Sequence, residues 1–317
     1  MYELRLCVTK WCNFKCSYCR PGGEGVFNEN PVMTIDEIES CIKFMAQSGF
    51  DSVRITGGEP FLRVDLIDII NRIGNIEGIT NVSMVTNASL ITSELIEKLS
   101  QSKLNSITVS LDTMDRKEFE EIVHADCFDK VIENIIALSK TMIRTRINMV
   151  VTSKNVNMIP EVRKLCSEYS VDFKLLDLNN NGMDDWQEEY VDFSSLYKKL
   201  KKDCIEEEIQ YVKGQTGTPM SILKYDNYSI ILKDSKKGTC YVEKCKECNN
   251  YPCQTGVSSP IITHDGYLKF CNLGNLSHFN LLEVANKVTE YIQFDKEFKS
   301  MHFKNEWNYR KEESCAK

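Results

Sequence analysis

Six short β-rich runs, each followed by a segment of helical periodicity, constrain this chain more than any other feature. The runs are ELRLCV (3–8), SVRIT (52–56), NVSMVT (81–86), SITVSL (106–111), RINMVV (146–151) and FKLLDL (173–178). After the first, TIDEIESCIKFMAQSG puts Ile35, Ile38, Ile42 and Met45 on one helical face. It opens on a capping box from Thr34 to Glu37 and stops at Gly49. DLIDIINRIG, SELIEKLSQS, CFDKVIENIIALSK and NMIPEVRKLCSEY carry the same period. Strand-then-helix repeats imply a parallel sheet with right-handed crossovers. Six units fall short of the eight that close a barrel. The expected fold is α/β, a partial (β/α)6 TIM-like barrel, with its chemistry at the C-terminal ends of the strands.

The pattern changes after about Asp177. LNNNGMDDWQEEY reads as a loop with NNNG as its turn signal, and FSSLYKKLKKDCIEEEI (193–209) reads as a helix. From about Gly214 short strands return (SILKY, YSIIL), followed by a cysteine-rich stretch and a helical tail. A soft boundary near 213 separates a core barrel, 1–213, from a C-terminal domain, 214–317.

A chain of 317 residues, 42% of them apolar, suits a large barrel with an appendage. Its net charge of −7 argues against a nucleic-acid polymer as partner. No apolar run approaches the roughly 20 residues of a membrane span, so no membrane role is expected. MYELRLCVTK enters a strand directly and lacks the marks of a signal peptide, so the expected location is cytoplasmic. Fourteen cysteines are then anomalous, because clustered thiols in a reducing compartment point to metal or catalysis. They gather twice, from Cys7 to Cys19 and from Cys240 to Cys271. Of the scattered remainder (Cys41, Cys127, Cys166, Cys204, Cys315), four fall in helix-like or turn segments and read as small buried hydrophobes.

Cys12, Cys16 and Cys19 form a CX3CX2C loop directly after the first strand run. Three thiolates on so short a loop can wrap one inorganic cluster and leave one iron open. Cys7 lies inside the strand, where the pleat fixes its direction, and reads as a core or cavity-wall residue. Short cysteine motifs also hold zinc, so the context matters. RITGGEPFLR (54–63) supplies it: Gly57 and Gly58 permit close backbone approach, and Glu59 and Pro60 turn the chain toward the next helix.

With these two motifs in a strand–helix repeat, the first 210 residues or so resemble the radical S-adenosylmethionine (SAM) superfamily. VTKWCNFKCSYCRP, RITGGEPFLRVDL, VTNASLI and ITVSLDTMD are most similar to its GTP 3′,8-cyclases of molybdenum-cofactor synthesis. The resemblance implies that Cys12, Cys16 and Cys19 hold a 4Fe–4S cluster. SAM would chelate the fourth iron, and an electron donor such as flavodoxin or ferredoxin would reduce it. One-electron cleavage would give methionine and a 5′-deoxyadenosyl radical, which removes hydrogen from a small-molecule, nucleotide or peptide substrate. Gly57, Gly58 and Glu59 would meet the methionine amino group, and Tyr18 would lie near the adenine. Asn87 and Ser110 would bind ribose or carboxylate, with ordinary strand-end turn chemistry as the alternative. Arg5, seven residues before Cys12, matches a substrate-contacting arginine. Facing inward it needs an anion, either a substrate group or an ion pair with Glu59 or Asp112.

In the second cluster, Cys245 and Cys248 form CX2C, and Cys253 and Cys271 flank an Asp265–Gly266 hairpin signal. The hairpin would return Cys271 beside Cys253. The spacing resembles a twitch-type auxiliary Fe–S domain, with structural zinc as the alternative. Cys240 is the expected spare.

Three departures fall on substrate recognition. No arginine occurs between Cys245 and Cys271, where the cyclases carry an Arg-x-Arg pair; Val64 replaces a basic residue; and the chain ends ESCAK instead of Gly-Gly. Radical chemistry on a substrate other than GTP is therefore expected. Peptide maturation is the rival within the class, with a separate partner binding the leader, since Met1 to Arg5 leaves no room for a leader-binding unit. A zinc-binding interaction protein is the rival outside it, and leaves TGGEP unexplained.

Overall fold

A computed structural model describes residues 3–16, 19, 31–179, 186–210, 218–237, 259–269 and 278–284. Strands β1 (Glu3–Cys7), β2 (Ser52–Thr56), β3 (Asn81–Thr86), β4 (Ser106–Ser110), β5 (Arg144–Val151) and β6 (Asp172–Asp177) coincide with the six runs. They lie side by side in chain order, every neighbouring pair parallel. Helices α1 (Ile35–Gln47), α2 (Leu66–Gly74), α3 (Ser93–Ser100), α4 (Arg116–Val123), α5 (Phe128–Ser139) and α6 (Ile159–Tyr169) make the crossovers. The curled parallel sheet is an open half-barrel, as the strand–helix alternation implies.

The pleat sorts the side chains. Leu4, Val53 and Val82 share one register, as do Leu6, Ile55, Met84 and Ile107; all are buried and belong to the apolar core with Ile38, Ile42 and Met45 of α1. The intervening positions, which point to the other face, include Arg5, Arg54, Ser83, Thr108, Arg146 and Lys174. The capping box forms as expected: Thr34 Oγ accepts from Glu37 N, and the Glu37 carboxylate accepts from Thr34 N at 2.7 Å.

Beyond β6 come α7 (Trp186–Glu189), α8 (Phe193–Lys201), β7 (Glu206–Gln210), β8 (Met220–Lys224) and β9 (Ser229–Lys233). They are followed by β10 (Ile261–Ile262), β11 (Tyr267–Lys269), β12 (His278–Asn280) and α9 (Leu281–Val284). These strands extend the barrel sheet at both margins. β9 adds parallel to β6 and carries β8 and β7, while β10 adds parallel to β1 and carries β11 and β12. β7 and β8, on either side of residue 213, pair with each other.

Two local expectations need correction. The helix read over 193–209 stops at Lys201, and its last four residues, 206–209, belong to strand β7. Pairing with β8 overrides the helical pattern, and Glu206 and Glu208 both reach Lys224, at 3.1 and 3.4 Å. Helix α4 has no counterpart in the periodicity reading, because it buries only Phe119 and Val123; Asp115 caps it by accepting from Glu118 N.

Candidate active site

The loop after β1 and the turn after β2 are built against each other. Gly58 N donates to Thr9 O at 2.8 Å and Glu59 N to Trp11 O at 2.7 Å. A Cβ on Gly58 would stand 2.0 Å from Trp11 O and 2.8 Å from Cys12 N; one on Gly57 would stand 2.6 Å from Thr9 O. The close approach that the glycine pair permits is thus to the cysteine loop itself.

Glu59 is 1% exposed. Its carboxylate accepts from Thr86 Oγ (2.7 Å), Asn87 N (2.8 Å) and Phe61 N (3.1 Å), tying the turn to the end of β3. Burial pushes this carboxyl above the ordinary range, against the pull of those three donors. Asn87 then passes the linkage to the cysteine loop: its amide donates to Asn13 Oδ1 at 2.9 Å and lies 3.9 Å from Cys12 Sγ. Asn13 in turn donates to Ser89 Oγ, which donates to Asn87 Oδ1.

Cys12, Cys16 and Cys19 line one pocket with Gly57, Gly58, Glu59, Asn87 and Ser110. All eight were singled out from sequence. The pocket is an open cavity with about 770 Å3 of free space, mouth included. Thr56, Val85, Thr86, Phe14 and Phe119 also line it and were not anticipated; Asp112, named from sequence only as an ion-pair partner for Arg5, lines it too. Their signal was positional, since Thr56 and Thr86 end β2 and β3, and Asp112 lies two residues past β4. None of the three cysteines is in a disulfide. Burial foremost, then the Asp112 carboxylate, pushes the Cys16 thiol up to about 12; burial and Glu59 raise Cys12. Metal binding at this loop must therefore displace protons.

Cys7 is buried at the end of β1, its thiol donating to Thr9 O at 3.3 Å, and it lies outside the pocket lining. Tyr18, Cys245, Cys248, Cys253 and Cys271 lie outside the described residues. The hairpin expected beside Cys271 is present: β10 and β11 pair antiparallel and turn through Gly266 at φ +88°.

Arg5 sits one pleat below the pocket. Its register partner is Arg54, and both belong to a layer on the inner face with Arg146, Lys174 and Lys233. Pocket residues Thr56, Val85 and Ser110 lie two positions beyond Arg54, Ser83 and Thr108 on their strands, a rise of about 7 Å. Arg54 meets Glu3 at 2.6 Å. Burial alone would raise the Glu3 carboxyl; Arg54, Arg5 and Lys174 together hold it below the usual range. Desolvation, reinforced by neighbouring cations, pulls Arg146 down to about 10, Lys233 to about 8, and Lys174 well below its usual value. Apart from Arg5, this cationic layer was missed in the sequence, because each strand contributes only one or two of its charges.

An open half-barrel with three thiols and a glycine turn converging at the C-terminal ends of its strands defines a class: enzymes that hold an inorganic cluster and a small cofactor over a substrate cavity. The sequence profile of the Radical SAM superfamily matches residues 6–166, and the chain belongs to that superfamily. It is 29% identical over 298 residues to the GTP 3′,8-cyclase of Lactiplantibacillus plantarum, covering 92% of this chain and 84% of that protein. A probable GTP 3′,8-cyclase of Pyrococcus horikoshii is 30% identical over 273 residues, covering 86% and 83%. Among solved structures, Streptococcus suis SuiB bound to S-adenosylmethionine superposes with a TM-score of 0.67 at 20% identity, over 94% of this chain and 67% of that one. Native anSMEcpe with bound AdoMet gives 0.61 at 16% identity, over 95% and 84%. The fold is thus that of radical SAM enzymes, and the protein is an enzyme of this superfamily, which works with a 4Fe–4S cluster and SAM. No helix among the described residues is long and apolar enough to cross a membrane.

Proposed function

We propose that the enzyme acts on a small molecule with an anionic group, which Arg5, Arg54, Arg146, Lys174 and Lys233 hold one pleat below the cofactor pocket. The observation that carries this reading is a set of buried polar atoms on that inner face. Arg146 Nε, Asn148 Oδ1 and Ser83 Oγ make no hydrogen bond among the described residues. Buried polar groups are rarely left so, and a ligand would satisfy them. The relatives named GTP 3′,8-cyclase take an anionic nucleotide, which fits such a layer. The missing Arg-x-Arg pair argues for a different anion.

In this reading Cys12, Cys16 and Cys19 hold the cluster, and the pocket above the cations holds SAM. Thiols that share one wall of an open cavity suit a cluster with a fourth, exchangeable position. When bound, the two supply a 5′-deoxyadenosyl radical by one-electron cleavage. The chain's own part is positional. The backbone of Gly57 and Gly58 keeps the cysteine loop over the strand ends, and Asn87 and Ser110 present polar groups to the cofactor. Phe14, Phe119 and Val85 keep the cavity dry, so that hydrogen transfer outcompetes quenching.

We assign residues 214–317 an auxiliary Fe–S cluster on Cys245, Cys248, Cys253 and Cys271; the Asp265–Gly266 hairpin leading toward Cys271 supports it. A reducing cytoplasm and a flavodoxin- or ferredoxin-type donor suit such thiols.

Anaerobic purification tests the whole reading. Expected are iron, labile sulfide and reductive formation of 5′-deoxyadenosine, with Cys12→Ala, Cys16→Ala or Cys19→Ala abolishing the last. A colourless zinc protein that never forms 5′-deoxyadenosine would overturn it. Iron retained by Cys12→Ala but lost in Cys253→Ala or Cys271→Ala places the second cluster, whereas zinc lost from the latter pair makes that site structural. For the anion, Arg146→Met should weaken sulfate binding about tenfold or more, the scale of leaving a buried charge unmatched. Unchanged affinity would remove Arg146 from the site.

A further inference from the structure

The turn after β3 is held in a conformation that its residues do not favour. Ala88 lies in the left-handed region at φ +60°, where a non-glycine residue is uncommon. Its neighbours keep it there. Ala88 N donates to Thr86 Oγ at 2.9 Å, and the Asn134 amide, reaching over from α5, donates to Ala88 O at 2.8 Å and to Ile91 O at 3.1 Å. Asn134 is buried, so this clamp is part of the packed interior. Backbone strain that the surroundings hold so firmly points to a function for the turn.

The turn fixes the Asn87 carboxamide. Oδ1 accepts from Ser89 N at 2.9 Å and from Ser89 Oγ at 2.7 Å, while Nδ2 donates to Asn13 Oδ1 at 2.9 Å. A backbone N–H can only donate, so Ser89 N decides which end of the carboxamide is oxygen. The second Nδ2 hydrogen is left for Cys12 Sγ, 3.9 Å away, and Phe14 N donates to the same sulfur at 3.4 Å. A carboxamide has two donor and two acceptor positions, and the protein occupies them all. None is left for a ribose or a carboxylate.

We infer that Asn87 is a positioning residue for the cluster: the strained turn aims its N–H at the Cys12 sulfur, where with the N–H of Phe14 it raises the cluster's reduction potential. This rests on the reading above that Cys12, Cys16 and Cys19 hold the cluster. The polar group that Asn87 presents is then a donor to a cluster ligand. Reduction brings in one electron, from the flavodoxin- or ferredoxin-type donor or from a chemical reductant, and spreads negative charge onto the sulfurs. An N–H beside a ligating sulfur favours that reduced state, so its loss lowers the potential. No covalent bond of the protein changes.

The test is a redox titration of the cluster-loaded enzyme without SAM, following the EPR signal of the reduced cluster that Cys12→Ala abolishes. With SAM left out, a lost cofactor contact cannot account for a shift. Asn87→Leu is close in size, uncharged and without a donor. Its ratio of reduced to oxidised cluster at a fixed potential should fall about tenfold, which is ~59 mV for a one-electron couple. A merely structural role would cost iron and leave the potential of the remaining clusters unmoved. A second measurement needs only the wild type, labelled with nitrogen-15 in its asparagine side chains. Pulsed EPR of the reduced cluster should show a nitrogen-15 coupling. That coupling should persist in Asn13→Asp, which keeps the acceptor for Asn87 but carries no side-chain nitrogen, and should vanish in Asn87→Leu.

A wild-type cluster without the coupling, a coupling retained in Asn87→Leu, or an unmoved midpoint in an Asn87→Leu protein that keeps its iron would overturn the role of Asn87 and leave the cluster reading standing. If Asn87→Leu loses its iron, the wild-type coupling and its persistence in Asn13→Asp decide. A wild-type protein that binds no cluster would overturn the cluster reading and this inference together.

Discussion

Gly58→Ala should strip the protein of the cluster proposed for the Cys12–Cys19 loop. The added Cβ would stand 2.0 Å from Trp11 O, 2.3 Å from Trp11 C and 2.8 Å from Cys12 N, and all three are backbone atoms that no rotamer change can move aside. The cysteine loop must retreat, breaking the bonds from Gly58 N to Thr9 O and from Glu59 N to Trp11 O. Overpacking of this kind costs about 1–3 kcal/mol, a few degrees in melting temperature. The functional loss is far larger, because cluster ligands tolerate little displacement and Cys12 directly follows the displaced residue. Iron and sulfide, assayed after anaerobic reconstitution, should fall to the level of Cys12→Ala, with no 5′-deoxyadenosine formed. A Gly58→Ala protein with wild-type iron would show that the loop yields without cost.

Glu59 should divide along a different line, between Ala and Gln. Alanine leaves Thr86 Oγ, Asn87 N and Phe61 N without their acceptor in a site that is 1% exposed. An unmatched buried donor costs about 1–3 kcal/mol, so the three together approach 3 kcal/mol or more. Glutamine keeps the shape and most of the acceptor capacity, and should melt close to wild type. The pH dependence separates them further. Burial raises the Glu59 carboxyl in the folded state, so between its ordinary value of 4.5 and the folded one the native protein binds the extra proton. Stability therefore falls as pH rises through that window. Glu59→Gln, neutral throughout, should lack that loss. Anaerobic thermal melts from pH 4.5 upward decide it; an Ala variant as stable as wild type would remove Glu59 as the clamp between β2 and β3.

These two residues also mark how far the sequence could be read. The TGGEP stretch stood out as a place where backbone comes close to something, and Glu59 as a cofactor contact. The tertiary structure shows what the glycines approach, the Thr9–Cys12 backbone, and engages the Glu59 carboxylate with three protein donors. Neither fact has a local signature, because every partner but Phe61 lies some 27 to 50 positions away in the chain. Strand β7 was misread for the same reason: EEEIQ carries a good helical composition, and only pairing with β8 makes it a strand.

Period-2 and period-3.6 patterns follow from local geometry, so the six strands, five of their six helices, the half-barrel and the placement of Cys12, Cys16 and Cys19 at a strand end were determined by the sequence alone. The buried cationic layer was not. Arg5, Arg54, Arg146, Lys174 and Lys233 come from five strands spread over more than 200 residues, and in each strand such a charge resembles an ordinary solvent-facing position. Sheet register and the curl of the barrel turn them toward one another. Burial then makes their mutual repulsion strong enough to matter, because water that would screen these charges is largely excluded from the interior.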